Sequence, residues 1–141
     1  MLNLSKASQI IEAAFAKAAD LQLKPIVVAV YNAGGTLIAY QAQDGASSGR
    51  FAIAGGKARG ALAVGTGSRW LNDQAAERPH FLAGLGSVIE GGVVPVPGGV
   101  LGRDEDGALI AAVGISGDTS DNDEACAVAG LEAVGLSAET G

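Results

Sequence analysis

Leu109-Ile110-Ala111-Ala112-Val113-Gly114-Ile115-Ser116 is the run on which the fold turns. It carries no charge, and both of its alternating faces are apolar. A strand with one solvated face alternates apolar with polar residues; one that is apolar on both faces is covered on both and lies inside a sheet. After it, Thr119 can cap a helix that runs to about Val134, with Gly135 at the C′ position. Before it, Asp104-Glu105-Asp106-Gly107 reads as a tight turn. Residues 93–96 and 100–103 read as short strands joined by Pro97-Gly98-Gly99. The expectation for this half is a three-stranded meander followed by a helix.

The first half adds a helix and a hairpin. Leu4, Ala7, Ile10, Ile11, Ala14, Phe15 and Ala18 recur at helical spacing, Asn3 can cap the first turn, and Pro25 ends any continuation. Residues 26–31 and 36–43 read as two strands around the turn Asn32-Ala33-Gly34-Gly35. Ser47 and Ser48 are candidate caps for a second helix reaching about Ala63. Its internal Gly55, Gly56 and Gly60 each cost about 1 kcal/mol relative to Ala in a helix interior. Their presence predicts that something approaches that helix backbone closely. Gly65-Thr66-Gly67-Ser68 breaks the helix, residues 69–76 read as a short helix, and Pro79 starts a further segment to Leu85. The sum is one domain over residues 1–141 of the α/β (α+β) class: a five-stranded, mainly antiparallel sheet flanked by helices.

Composition narrows function. With 48% hydrophobic and 17% charged residues, the chain has enough apolar material for a core, and disorder is not expected. The formal net charge is −6. Its local basic group, Arg50, Lys57 and Arg59, is too sparse to track a phosphate backbone, so no nucleic-acid partner is expected. The single cysteine, Cys126, excludes an internal disulfide and a thiolate metal cluster. No leader-like start or bilayer-length apolar run is read, so no membrane partner is expected and the default location is the cytoplasm.

Familiar catalytic motifs fail on spacing. Gly98-Gly99-Val100-Leu101-Gly102 lacks the dinucleotide-binding spacing, and Gly55-Gly56-Lys57-Ala58 lacks both the leading glycine and the trailing Ser or Thr of a phosphate loop. Gly114-Ile115-Ser116-Gly117 is one residue short of a nucleophile elbow. No catalytic set is identified. Asp118, Asp121, Asp123 and Glu124 miss the calcium-loop pattern, and are read as acids complementing the amides of the last helix's first turn. His80, the only imidazole, reads either as a metal ligand or base, or as a half-exposed histidine bonded to a carbonyl. Tyr31 and Tyr40 read as strand residues at the core edge or as ligand contacts. Cys126 reads as a small core residue. Arg69-Trp70 reads as a Trp packed on the sheet beside a solvated Arg, or as a pair that holds a planar carboxylate.

The run Gly91-Gly92-Val93-Val94-Pro95-Val96-Pro97-Gly98-Gly99-Val100 resembles the GlcG/HbpS-like family. So does Gly114-Ile115-Ser116-Gly117-Asp118-Thr119-Ser120-Asp121-Asn122-Asp123-Glu124 with Cys126-Ala127-Val128-Ala129-Gly130. The Asn32–Gly35 turn, Asp44-Gly45-Ala46, Ser48 and Lys57-Ala58 agree with it; Gly55 and Gly56 are smaller than the residues expected beside Lys57. The resemblance implies a profilin-like α/β fold, assembly into a homo-oligomer, often an octamer, and haem binding or haem degradation in some members. It assigns no shared axial ligand. The residues themselves put forward His80 as the haem-iron ligand, and Lys57, Arg50 and Arg69 as partners for propionates or another carboxylate. Apolar strands in a small domain independently favour self-association. Two other readings stay open: an enzyme or binder for a small carboxylate-bearing catabolic metabolite, and a non-catalytic oligomeric accessory subunit.

Overall fold

Asn3 starts the first helix: its side-chain oxygen accepts from the Lys6 amide at 2.8 Å, satisfying one of the free donors of the first turn. In the computed structural model, which describes Met1–Gly141, that helix is α1 (Leu4–Asp20). It is followed by β1 (Val27–Asn32), β2 (Leu37–Ala42), α2 (Arg50–Val64), α3 (Ser68–Glu77) and α4 (Pro79–Val88). Then come β3 (Gly99–Arg103), β4 (Leu109–Ser116), α5 (Ser120–Ala133) and β5 (Ser137–Glu139). The strands form one sheet in the order β2-β1-β4-β3-β5, with every neighbouring pair antiparallel. The doubly apolar β4 lies in its middle, between β1 and β3.

Strand alternation sorts the core into two layers. Val28 and Val30 of β1, Val100 of β3, and Ala111, Val113 and Ile115 of β4 face α1 and α5. There they meet Ile10, Ile11 and Ala14 of α1 and Cys126, Ala127 and Leu131 of α5. Val27, Ala29 and Tyr31, with Leu101 and Ala112, face Ala54, Ala58 and Ala61 of α2. The three alanines follow one helical stripe and let α2 lie close on the sheet.

Two expectations are corrected. Residues 93–96 form no strand. They run along α2, where the Val94 amide donates to the Gly56 carbonyl at 3.1 Å. A Cβ at Gly56 would come within 2.6 Å of Val94, and one at Gly60 within 2.6 Å of Leu71. The glycines of α2 are therefore the seat of this segment and of α3, which is the close approach their cost implied. The fifth strand is instead β5, which adds to the outer edge of β3 after α5. Neither Ser47 nor Ser48 caps α2; Gly49 holds the N-cap position, without a side-chain bond. Thr119 does cap α5, accepting from the Asn122 amide at 3.2 Å, and Gly135 follows the helix at φ +80°.

Candidate functional site

The three basic residues of α2 go to three different places. The Lys57 side chain is buried and its ammonium donates to the Ile115 carbonyl at 2.9 Å and to Asp123 Oδ2 at 3.0 Å. Asp123, buried as well, takes the Asp118 amide on its other oxygen at 3.0 Å. Burial pushes the Lys57 pKa down and the Asp123 pKa up, and each partner's charge opposes the shift of the other. Arg50 donates to Ser116 Oγ at 3.2 Å. It borders a shallow cleft of about 290 Å³ with Lys24, Gly117, Asp118 and Thr119. Arg59 donates to the carbonyls of Gly91 and Gly92, at 2.8 and 3.1 Å, and so ties down the chain leaving α4.

Arg69 begins α3 in a fork of acids. Its Nε lies 3.1 Å from Glu124 Oε2, and its Nη2 donates to Asp121 Oδ1 and to Glu124 Oε1. These bonds raise the Arg69 pKa. The acids at the start of α5 thus do more than complement the helix amides: Asp121 and Glu124 hold α3, and Asp123 holds α2. No three His, Cys, Asp or Glu side chains come together as a metal cluster.

Asp118 is the acid that serves the turn itself. Its carboxylate accepts from the Asn122 side chain at 2.8 Å, the Thr119 amide at 2.9 Å and the Lys24 amide at 3.0 Å. Those bonds, the Asn122 one first, hold its pKa below the ordinary aspartate range. A depressed carboxylate stabilises the fold above its unfolded pKa of about 3.9 and stops doing so as pH falls through the lower folded value. Asp118→Asn should therefore give a shallower loss of stability on acidification. Urea midpoints measured from roughly pH 5 to pH 2 test this; an unchanged acid limb would refute it.

His80 lies elsewhere, at the second position of α4, exposed, and neither ring nitrogen takes part in a hydrogen bond. Pro79 precedes it at the first helical position, where a missing N–H is no loss. Not one side chain of α4 is buried, although Phe81, Leu82 and Leu85 are apolar. Trp70 of α3 meets Phe81 edge to face at 6.1 Å rather than packing on the sheet. The Arg78 guanidinium lies over the Phe81 ring, 4.7 Å from its centroid. Arg78 and Phe81 escaped the reading of the sequence. Their signal was the tetrad Arg78-Pro79-His80-Phe81, which puts a cation, an imidazole and a ring on one helix start.

The donor set suits a flat metalloporphyrin: an unengaged imidazole for iron, aromatic and aliphatic surface for a macrocycle, and arginines for carboxylates. The surface clefts of the single chain measure about 230, 290 and 300 Å³, and none of them is lined by His80. A macrocycle bound there would lie against the exposed face of α3 and α4.

A five-stranded antiparallel sheet flanked by helices defines a class of small α/β domains, and the relatives identify it. The chain belongs to the HbpS-like family: the model for "Haem degrading protein HbpS-like" matches residues 2–132. The crystal structure of a PduOC:heme complex is 32% identical, with a TM-score of 0.83 and 96% of each chain covered. Klebsiella pneumoniae protein ORFY is 25% identical with a TM-score of 0.82, covering 94% of this chain and 90% of that one. HbpS is 26% identical with a TM-score of 0.80, covering 95% and 90% respectively. No curated protein sequence matches the chain. No helix is long and apolar enough to cross a membrane.

Proposed function

We propose that the chain is a haem-binding protein of the cytoplasm, with His80 as the iron ligand and α3 and α4 as the surface for the macrocycle. The observation that carries this reading is the state of His80: exposed, unbonded through both nitrogens, and set beside Phe81 on a helix with no fully buried residue in the single chain. The likeness to PduOC, solved with haem, supports it. When bound, haem would supply an iron centre for ligand or oxygen chemistry; weak haem degradation is the activity to assay first. The protein's part is to hold the iron, cover one porphyrin face and offer cations to the propionates.

Among those cations, Arg69 already gives its Nε and Nη2 to Asp121 and Glu124, and Arg50 borders the Ser116 cleft. Lys57 supports the site from within, as the buried link between α2 and α5. Self-association completes the arrangement: a second copy of the chain is the proposed cover for Phe81, Leu82 and Leu85, and an octamer is the size to look for.

Haemin titration followed by absorbance tests the reading. A Soret band should develop and saturate, and His80→Ala should shift it and weaken binding at least about tenfold, the loss of one good ligand bond. A titration with no spectral change would overturn it. Light scattering on the eluting protein gives the number of subunits.

A further inference from the structure

Arg78 is held in place with both Nη atoms uncommitted. Its Nε donates to Gln74 Oε1 at 2.7 Å, and Gln74 is itself buried. Its amide donates to the Gln74 carbonyl at 2.6 Å, and its guanidinium lies over the Phe81 ring. The Gln74 side-chain bond and the Phe81 ring therefore hold the head group, while the amide bond and Pro79 restrict the backbone beneath it. No carboxylate pairs with it: the ion pairs of the chain belong to Lys57, Arg69 and Arg103. Neither Nη atom has a hydrogen-bond partner, and the residue is exposed. A preorganised guanidinium edge is the group best matched to a carboxylate, which it takes through two parallel bonds. His80 is two residues away on the same helix start, and Phe81 lies under the guanidinium.

We infer that Arg78 is the residue by which this surface recognises a free carboxylate on a planar ligand, so that the site selects a porphyrin bearing free acid groups over its ester. The inference rests on the haem reading, which it deepens. Arg78 supplies affinity and orientation, and His80 supplies the metal bond. The two contributions are separable because one acts on the periphery of the ligand and the other on its centre.

The test compares haemin with its dimethyl ester, which has the same iron and ring but no free carboxylate. The wild-type protein should bind haemin about tenfold or more tightly than the ester, the usual scale for a charge-assisted bond. Arg78→Ala should abolish that preference while leaving the position of the Soret band unchanged. Arg78→Lys should restore part of it, since an ammonium attracts the carboxylate but cannot grip it bidentately. His80→Ala should move the band and keep the preference. Circular dichroism of Arg78→Ala should match the wild type, because the side chain is exposed. If Arg78→Ala discriminates acid from ester as well as the wild type does, Arg78 is not the carboxylate partner, although haem binding stands. If neither compound binds the wild type, the haem reading falls and the inference with it.

Discussion

Asp123→Ala should destabilise the protein by about 3–5 kcal/mol, the range for removing one partner of a buried ion pair. For a chain of this length that amounts to a fall in melting temperature of roughly 10 °C or more. Lys57 is only 2% exposed, and without Asp123 its ammonium keeps a single protein acceptor, the Ile115 carbonyl. Arg50, whose charge already disfavours a second cation there, adds to the penalty. The sign of the pH dependence follows. Burial lowers the folded pKa of Lys57 below its unfolded value, and loss of Asp123 removes the main opposing influence. Between the folded and unfolded values the unfolded chain binds the extra proton, so stability rises with pH. The defect of Asp123→Ala should therefore be largest at neutral pH and shrink in alkaline solution. Lys57→Met combined with Asp123→Ala should lose far less than those two single changes summed, because neither charge is then stranded. Urea unfolding of the four proteins measures the cycle. A loss under about 1 kcal/mol for Asp123→Ala would mean that water reaches the ammonium once the carboxylate is gone.

Gly114→Ala should be nearly as damaging, by overfilling. Gly114 sits on the α2 side of β4, paired with Ala29 of β1 and Gly99 of β3. A Cβ there would run into the Ala54 carbonyl of α2 and approach the Ala58 methyl to 3.1 Å. The obstacle is main chain, which cannot rotate aside, and β4 cannot retreat because it is hydrogen-bonded on both edges. The helix must lift from Val27, Ala29, Leu101 and Ala112, at a cost of about 3 kcal/mol, the upper end for overpacked cores. Gly84→Ala provides the opposite control. It lies in α4 with open space around the position, so the added methyl should stabilise the helix by about 0.5–1 kcal/mol. Thermal melts of both variants test the pair. Equal melting temperatures for Gly114→Ala and the wild type would show that α2 yields without loss.

Much of the site was readable only in part, for a definite reason. Lys57, Arg50 and Arg69 stand out as cations in a chain with few of them, but their partners are 52–66 residues further along. No local pattern tells Lys57 that it will meet Asp123, so a residue that resembles a ligand contact became a buried cross-link. The acids of the 118–124 segment carried a clear local signal as first-turn residues, and Asp118 and Thr119 do act in that way. Asp121, Asp123 and Glu124 gained their further roles when α2 and α3 came to rest beside α5. Residues 93–96 misled for the same reason. Val93, Val94 and Val96 have strand propensity, but propensity does not say whether a β-rich segment pairs with a sheet or lies on the glycines of a helix.

The eight residues from Leu109 to Ser116 announced a central strand, and the structure puts β4 in the middle of the sheet. The caps at Asn3 and Thr119, the hairpin turn at Asn32–Gly35 and the apolar stripe of α1 were equally plain. All of these depend on hydrogen bonds and periodicities that close within a few residues, so the sequence by itself determined them and, through them, the fold class. Tertiary structure alone decided that β5 provides the fifth strand, that Lys57 is held by Asp123, and that Arg78 and His80 share an exposed helix start where Arg78 makes no ion pair. Those outcomes depend on which surfaces meet after collapse, where burial and charge pairing join residues that the chain keeps far apart.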